Sequence, residues 1–330
     1  MYKPPYNITE QMLKLISDIS EKVGKIQGHH TLRTHPNLRK SNRIRSIHSS
    51  LAIEANSLSL AEVRDVIDGR TVIGNRDEIK EVQNAYRAYE AIREINPFNM
   101  EDLKRMHGVM TDGLVPECGK FRSGEEGVFD GDGCIFMAPP AKLVTGQMNE
   151  LFEWMNREKE NVHPLIMSSV FHYEFVFIHP FADGNGRMAR LWQTALLYDW
   201  RELFQYVPIE SQIKNFQSEY YEVIARCHKN GDSDEFIMFM LKRLDAVLGE
   251  VLSKPAVLYE NTTAQVERLM ETMEFDIPYT AVQLMGALGL KSRKSFRENY
   301  LQPAIEDEII EMTIPGKATS RNQRYVMKKK

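Results

Sequence analysis

Between Pro164 and Tyr198 the chain carries two strongly apolar stretches separated by a short polar loop, and this arrangement constrains everything around it. The upstream stretch, 164–178, contains Leu165, Ile166, Val170, Phe171, Phe175, Phe177 and Ile178 and predicts a buried helix. The downstream stretch, 189–198, with Leu191, Trp192, Ala195, Leu196 and Leu197, predicts a second. The loop reads His179-Pro-Phe-Ala-Asp-Gly-Asn-Gly-Arg187, and Met-Ala-Arg190 follows it. Loops held between rigid elements are where sites are usually built. This one opens onto a helix N-terminus, whose unpaired N–H groups and dipole attract anions. Gly184 and Gly186 let successive N–H groups turn inward as a nest for a phosphate. Asp183 offers a hard oxygen ligand suited to the Mg²⁺ that accompanies nucleotide phosphates. Arg187 and Arg190 project from the first turn of the helix and can fork onto further phosphates. His179 is the group there that can move a proton near neutral pH. A plainer account is a Gly-rich turn with a capping histidine and solvated arginines. Seven such residues, Asn185 included, within twelve positions weigh against it.

These residues resemble the signature of the Fic (Fido) family, His-Pro-Phe-x-Asp/Glu-Gly-Asn-Gly/Lys-Arg-x-x-Arg, at every specified position. The resemblance implies a protein adenylyltransferase that moves AMP from Mg·ATP to a Ser, Thr or Tyr hydroxyl of a target protein. It implies His179 as the base for that hydroxyl and Asp183 as the Mg²⁺ ligand. The backbone of 184–187, with Gly184, Asn185, Gly186 and Arg187, becomes the phosphate cradle, and Arg190 the holder of the terminal phosphate. Gly stands at 186, where the kinase-like branch carries Lys, and this favours AMP transfer over phosphate transfer.

Two further stretches resemble parts of the same family. Ser50-Leu-Ala-Ile-Glu54-Ala-Asn56 is similar to the inhibitory helix Ser/Thr-x-x-x-Glu-Gly/Asn, in the subgroup that places it before the catalytic core. Ala55 departs from that pattern. The resemblance implies a Glu54 carboxylate paired with Arg190, in the place the terminal phosphate of ATP needs. Tyr220 and Tyr221 lie on a predicted helix with Phe216, Val223 and Ile224, where packing is their default role. The resemblance makes them nucleoside-pocket residues. Lys229 stands where some relatives carry Asn ahead of Gly231-Asp232.

Length and composition frame these readings. A chain of 330 residues suggests about two domains and can bury a sizeable core. Hydrophobic content of 42%, charged content of 27% and a net charge of −4 describe an ordinary soluble protein, not a general nucleic-acid binder. Three cysteines, Cys118, Cys134 and Cys227, have no metal-like spacing and argue against a disulfide framework. The opening residues lack a signal-peptide core and no apolar run approaches membrane-spanning length. The expectation is a cytoplasmic protein with no membrane contact. His163, His172 and His179 invite a metal reading, but their spacing suits a helix start and a core histidine better.

Elsewhere the pattern is helical. Asn7 with Glu10 signals a helix start, and Ile8, Met12, Ile16, Ile19, Val23 and Ile26 form its apolar face. After a loop around 34–37, a helix is predicted over 39–56. Ser59 with Glu62 opens the next by the capping-box rule. Helices follow over 76–96, from Asn99, over 142–156, and through Phe236 to Leu252. The exception is 119–140, with five glycines, which predicts a β-hairpin with strands near Gly127–Asp130 and 134–137 around a Gly-Asp-Gly turn. By the resemblance this hairpin is a flap that pairs with the target by strand addition, so the protein substrate docks on 119–140.

Beyond Lys254-Pro255 the pattern changes. Helices over 263–273 and 281–288, a third capped by Ser292, and short strands over 309–313 and 324–327 around a wing at 316–322 resemble a winged helix-turn-helix module. Residues 291–330 hold ten Lys/Arg against five Asp/Glu, so DNA or a protein is the expected partner of 256–330. The expected fold class is mainly α: a Fic-type helical bundle with a β-hairpin flap, then a small winged helix-turn-helix domain. The expected domains are 1–254, with its core at about 99–252, and 256–330. A homo-oligomer stays open. The expected cofactors are ATP and Mg²⁺. The other functional readings are a nucleotide-sensing DNA-binding regulator and a de-AMPylase or transferase of another phosphate-linked group.

Overall fold

The computed structural model describes residues 2–28, 36–130, 133–253, 263–273, 277–317 and 320–327. It divides into two compact units, Met1–Gly24 with Asn42–Val251, and Lys25–Ser41 with Leu252–Lys330. Nothing in the local sequence pattern marks the segment Lys25–Ser41 for the second unit.

The chain opens with α1 (Glu10–Gly28), α2 (Pro36–Ile53), α3 (Leu60–Ile67) and α4 (Arg76–Glu90), which tightens into a 3₁₀ turn at Ala91–Glu94. Next come α5 (Met100–Met110), the hairpin strands β1 (Gly127–Asp130) and β2 (Gly133–Met137), and α6 (Ala141–Glu158). The central pair is α7 (Pro164–Ile178) and α8 (Asn185–Trp200), followed by α9 (Ile209–Asn215), α10 (Gln217–Asn230) and α11 (Asp234–Ser253).

Local chemistry explains most of the starts. Ser59 and Glu62 form the expected reciprocal capping box on α3, and Asn99 accepts the Glu101 N–H at the start of α5. His163 caps α7 by accepting the Leu165 N–H, with Pro164 placed where no donor is needed. At α1 the cap is Thr9, whose hydroxyl accepts the Met12 N–H, and not the expected Asn7. Asn7 instead bonds the Asp234 carboxylate through both its backbone and its side-chain amide. Residues 29–35 lie outside the described set, and α2 has already begun at Pro36, within the expected loop. Its end also differs from expectation: the helix stops at Ile53, and Glu54 and Ala55 form the turn that closes it.

α7 is apolar on every side, as a helix enclosed by others must be. Phe171 and Phe175 are completely buried, and Phe171 contacts Phe152 of α6 edge-on and Trp192 of α8. The Trp192 indole N–H donates to the Pro97 carbonyl at 3.0 Å, so this large ring is buried with its polar atom satisfied. The result is a rigid α7–α8 pair with the polar loop at one end. The strands β1 and β2 pair antiparallel from Gly127↔Met137, with a register shift between Val128 and Phe129. Of the expected Gly-Asp-Gly turn, 131–132 lie outside the described residues, and Gly133 opens β2.

The second unit contains α12 (Ala264–Thr272), α13 (Ala281–Ala287) and α14 (Arg293–Phe296). A π turn at Arg297–Leu301 carries α14 into α15 (Gln302–Glu306), a widening that the pattern did not signal. The strands β3 (Ile310–Met312) and β4 (Tyr325–Met327) pair antiparallel, and Tyr279 bridges to Tyr325. Its own core gathers Val266, Leu269, Leu284, Phe296, Ala304 and Ile309. Residues 318–319 of the expected wing are outside the described set. No helix among the described residues is long and apolar enough to cross a membrane.

Candidate active site

The loop between α7 and α8 takes its shape from two left-handed residues. His179 ends α7 at φ 52°, ψ 58°, and Gly184 precedes α8 at φ 78°. A side chain on Gly184 would be strained by that φ and would also press on Thr111. Asn185 fastens the loop from inside. Its Oδ1 accepts the Phe181 N–H at 2.9 Å and its Nδ2 donates to the Phe181 carbonyl at 2.7 Å. The Asn185 side chain is therefore committed to the backbone, and only its N–H faces the helix end. The first helical bond runs from the Met188 N–H to the Gly184 carbonyl. The N–H groups of residues 185–187 therefore have no partner within the helix, the arrangement that attracts anions to a helix start.

His179 is largely buried, and its Nδ1 lies 3.3 Å from the Val176 carbonyl. Nδ1–H donates there, which leaves the Nε2 lone pair free to take a proton. Burial holds the imidazole below its ordinary pKa. Asp183 is about half exposed, accepts its neighbour Gly184 N–H and pairs with Arg187 at 2.7 Å. Arg187 also reaches Glu81 at 2.9 Å.

Arg190 is 1% exposed. Its Nε donates to the Ser50 hydroxyl at 2.9 Å, and its Nη2 to the Ser50 carbonyl at 3.0 Å and to Glu54 Oε1 at 2.7 Å. Burial works against its charge, and the Glu54 carboxylate, with Tyr220 and Tyr89, more than restores it. Glu54 Oε1 also lies where a Cβ on Gly186 would have to be, far inside van der Waals contact. A carboxylate therefore already sits against the glycine and on the arginine as an anion would.

The turn that presents Glu54 has a clear local cause. The Ala55 N–H donates to the Ala52 carbonyl and the Asn56 N–H to the Leu51 carbonyl, with Ala55 left-handed at φ 66°. This is the helix-ending turn that normally carries Gly or Asn at the left-handed position. The departure at Ala55 keeps the geometry and adds strain. Asn56 then donates to Glu81 Oε2, so Glu81 links the turn to Arg187.

Tyr220 is buried, and its hydroxyl lies 3.0 Å from His172 Nε2. His172 Nδ1 is 2.6 Å from Gln193 Oε1, and burial lowers the ring to about 3, so it stays neutral. Nδ1–H therefore donates to Gln193, and Nε2 accepts from Tyr220, whose phenol feels the nearby Arg190 charge. Tyr220 thus faces inward to His172, and Tyr221, about half exposed beside it, is the one open to solvent. Among the described residues no cluster of three His, Cys, Asp or Glu side chains could hold a metal by itself. A single exposed carboxylate does fit Mg²⁺ arriving on nucleotide phosphates, because that ion keeps several waters and takes one or two protein carboxylates.

Three residues that the sequence reading passed over shape the site. Glu81 lies on the helix expected over 76–96, where it was given no role. His107 accepts the Gly119 N–H at Nδ1, so its Nε2–H donates to the Asp183 carbonyl at 3.0 Å, and its ring stacks on Phe181 at 3.6 Å. Arg122 donates to the His179 carbonyl at 2.7 Å. None of the three carried a local signal that the pattern of apolar and polar positions could reveal.

With this geometry in place, the comparisons agree on a class. Residues 97–197 match the model of the Fic/DOC family, and residues 264–328 match that of the filamentation induced by cAMP protein Fic-like, C-terminal domain. A solved Fic family protein from Desulfovibrio desulfuricans G20 is 43% identical, with a TM-score of 0.75 covering 100% of this chain and 99% of that one. The chain belongs to the Fic family, with the mainly helical fold and small hairpin of its solved relatives. Residues 134–508 of Fic-1 from C. elegans share the fold at a TM-score of 0.59 and 22% identity, over 74% of this chain and 71% of that one. The protein adenylyltransferase Fic of Nematostella vectensis is 28% identical over 221 residues, 64% of this chain and 49% of its own length. The Caenorhabditis briggsae protein adenylyltransferase fic-1 is 27% identical over 252 residues, 72% of this chain and 46% of its own length. The chain spans about half the length of these curated relatives.

Proposed function

We propose that this protein is an adenylyltransferase that moves AMP from Mg·ATP to a Ser, Thr or Tyr hydroxyl of a target protein, and that Glu54 restrains it. The observation that carries the reading is the Glu54 carboxylate lodged against Gly186 and Arg190. It marks an anion site of phosphate character one helical turn from the loop that bears a histidine with a free Nε2. In the transfer, His179 Nε2 takes the hydroxyl proton, the hydroxyl oxygen bonds to the α-phosphorus, and the bond to the leaving pyrophosphate breaks. The N–H groups of 185–187 and the Arg187 and Arg190 guanidiniums hold the phosphates. Mg²⁺, when bound at Asp183, neutralises phosphate charge. Arg190 cannot serve a terminal phosphate and Glu54 together, so the carboxylate must leave first.

The hairpin places the target. Two strands ending near the Arg122 contact to His179 suit addition of a substrate strand along the 119–140 segment. The domain reading remains a catalytic region over 1–254 and a winged-helix module over 256–330, although Lys25–Ser41 groups with the second compact unit. The helix order and the β3–β4 pair support that module, and exposed Arg293, Lys294, Arg297 and Arg321 favour DNA as its partner. Salt-dependent binding above the non-specific level tests this, and its absence rejects it. The free thiols of Cys118 and Cys227 support a cytoplasmic location.

The test of the catalytic reading is labelling by α-³²P-ATP with Mg²⁺ in a cell lysate. Wild type, Glu54→Gly and Glu54→Gly/His179→Ala are compared. Label that rises with the first change and vanishes with the second supports transfer, base and restraint together. ATP binding without label in any form rejects the transferase in favour of a nucleotide-sensing regulator.

A further inference from the structure

Arg122 stands between α5 and the hairpin and is 4% exposed. The acceptors that surround its guanidinium are main-chain carbonyls drawn from three places. Nε donates to His179 at 2.7 Å, Nη1 to Gly124 at 2.8 Å, and Nη2 to Pro139 at 2.5 Å and, more weakly, to Ile178 at 3.4 Å. Its own N–H donates to the Pro180 carbonyl at 2.9 Å. Ile178 and His179 end α7, where carbonyls lack helical partners and the dipole leaves partial negative charge, so a buried cation is favoured there. Gly124 and Pro139 lie just before β1 and just after β2, at the two feet of the hairpin. His179 is left-handed, a conformation that a β-carbon-bearing residue holds only when its surroundings impose it.

We infer that Arg122 is the positioning residue of the reaction: it imposes the left-handed turn that aims His179 and locks that turn to both feet of the flap. The base and a segment paired with the flap then share one frame, so the acceptor hydroxyl meets Nε2 in a fixed register. The inference rests on the reading of His179 as the base. The geometry has an electrostatic consequence as well. Burial lowers the imidazole first; Arg122 lowers it further, while Glu126 and Glu54 act in the opposite direction. Arg122 is therefore the charged neighbour that favours a neutral ring.

The experiment uses the full chain in the Glu54→Gly background, with Arg122→Lys and Arg122→Met. The readouts are kcat and KM for ATP, and an NMR titration of the His179 ring, assigned by its loss in His179→Ala. Arg122→Lys keeps the charge and loses the planar fork. It is expected to lower kcat by about tenfold or more, leave KM for ATP within about twofold, and leave the titration in place. Arg122→Met loses both, and its titration midpoint is expected to move to higher pH. Circular dichroism of the Lys variant reports whether the fold is kept. A kcat within about threefold of the parent in both variants, with the His179 midpoint unmoved, overturns the inference. The titration needs no turnover, so it still judges Arg122 should labelling show that His179 is not the base.

Discussion

The carboxylate of Glu54 and the missing side chain of Gly186 occupy complementary space: the one is possible only because the other is absent. This steric dependence is separate from the 2.7 Å ion pair between Glu54 and Arg190, which the same carboxylate makes. Glycine at 186 thus serves the restraint as well as the approach of phosphate to the backbone.

Gly186→Ala is accordingly expected to cost about 1–3 kcal/mol of stability in the wild-type background, through overpacking against Glu54. In the Glu54→Gly background the same change should cost less than about 1 kcal/mol, because the clashing oxygen is gone and only the end of Arg190, at 3.1 Å, has to give. Denaturant unfolding of the four proteins in this cycle measures the coupling. Equal costs in both backgrounds would show that the carboxylate does not occupy this place in solution.

Ala55 makes the restraint weaker than it could be. A non-glycine residue in the left-handed region carries roughly 1 kcal/mol of strain, which is released when the turn opens and Glu54 withdraws. Ala55→Gly should therefore stabilise the closed turn and reduce basal labelling of a target by about fivefold. Labelling unchanged or increased, measured beside the wild type at one ATP concentration, would sink this account.

The base should operate below the ordinary histidine range. His179 must be neutral to accept a proton, and burial, with Arg122, depresses it below 6.5. Glu54 acts to raise it, so the Glu54→Gly enzyme has its charge environment shifted further toward a neutral ring. The rate–pH profile of that variant should stay level on descending from pH 8 and fall only below pH 6.5. An acid limb centred above that value would assign the titration to another group.

Glu174 supplies a pH dependence of stability unrelated to the chemistry. Buried on α7, it accepts the Tyr2 hydroxyl at 2.9 Å, and burial pushes its carboxyl up from 4.5 to about 7. The folded state binds this proton more tightly than the unfolded chain does. The contribution is therefore complete below pH 4.5 and is lost as pH rises through about 7. The loss is on the order of 3 kcal/mol, at about 1.4 kcal/mol per pKa unit. Glu174→Gln keeps an acceptor for Tyr2 and cannot ionise, so it should exceed the wild type in stability at pH 8 and lose that advantage at pH 5. Unfolding midpoints at the two values decide the matter, and parallel pH profiles would reject it.

Much of the local architecture could be read before any coordinates. The apolar flanks of His179 became the α7–α8 pair, because helices enclosed on all sides must be apolar on all sides. Ser59 with Glu62 and the two strands beginning at Gly127 and Gly133 rest on bonds between residues close in the chain. Such bonds leave a spacing that can be recognised. Where two local signals competed, the pattern could not choose. Asn7 and Thr9 both suit a helix cap, and it was Asp234, remote in the chain, that drew Asn7 away.

The sequence by itself determined which groups are available to the site and the short helices and turns that carry them, including the glycine that leaves room at 186. Only the tertiary structure decided what those groups face. Glu54 meets Arg190 across 136 positions, Arg187 meets Glu81 across 106, and His107 meets the Asp183 carbonyl across 76. Tyr220 turned inward to His172, and Arg122 settled on the carbonyls that close α7. The Glu54–Arg190 pair was implied by the Ser-x-x-x-Glu resemblance; none of the others has a period or spacing that could announce it. Each exists because packing of the apolar helix faces brings distant polar groups out of water together, where an unpaired one would be too costly to leave.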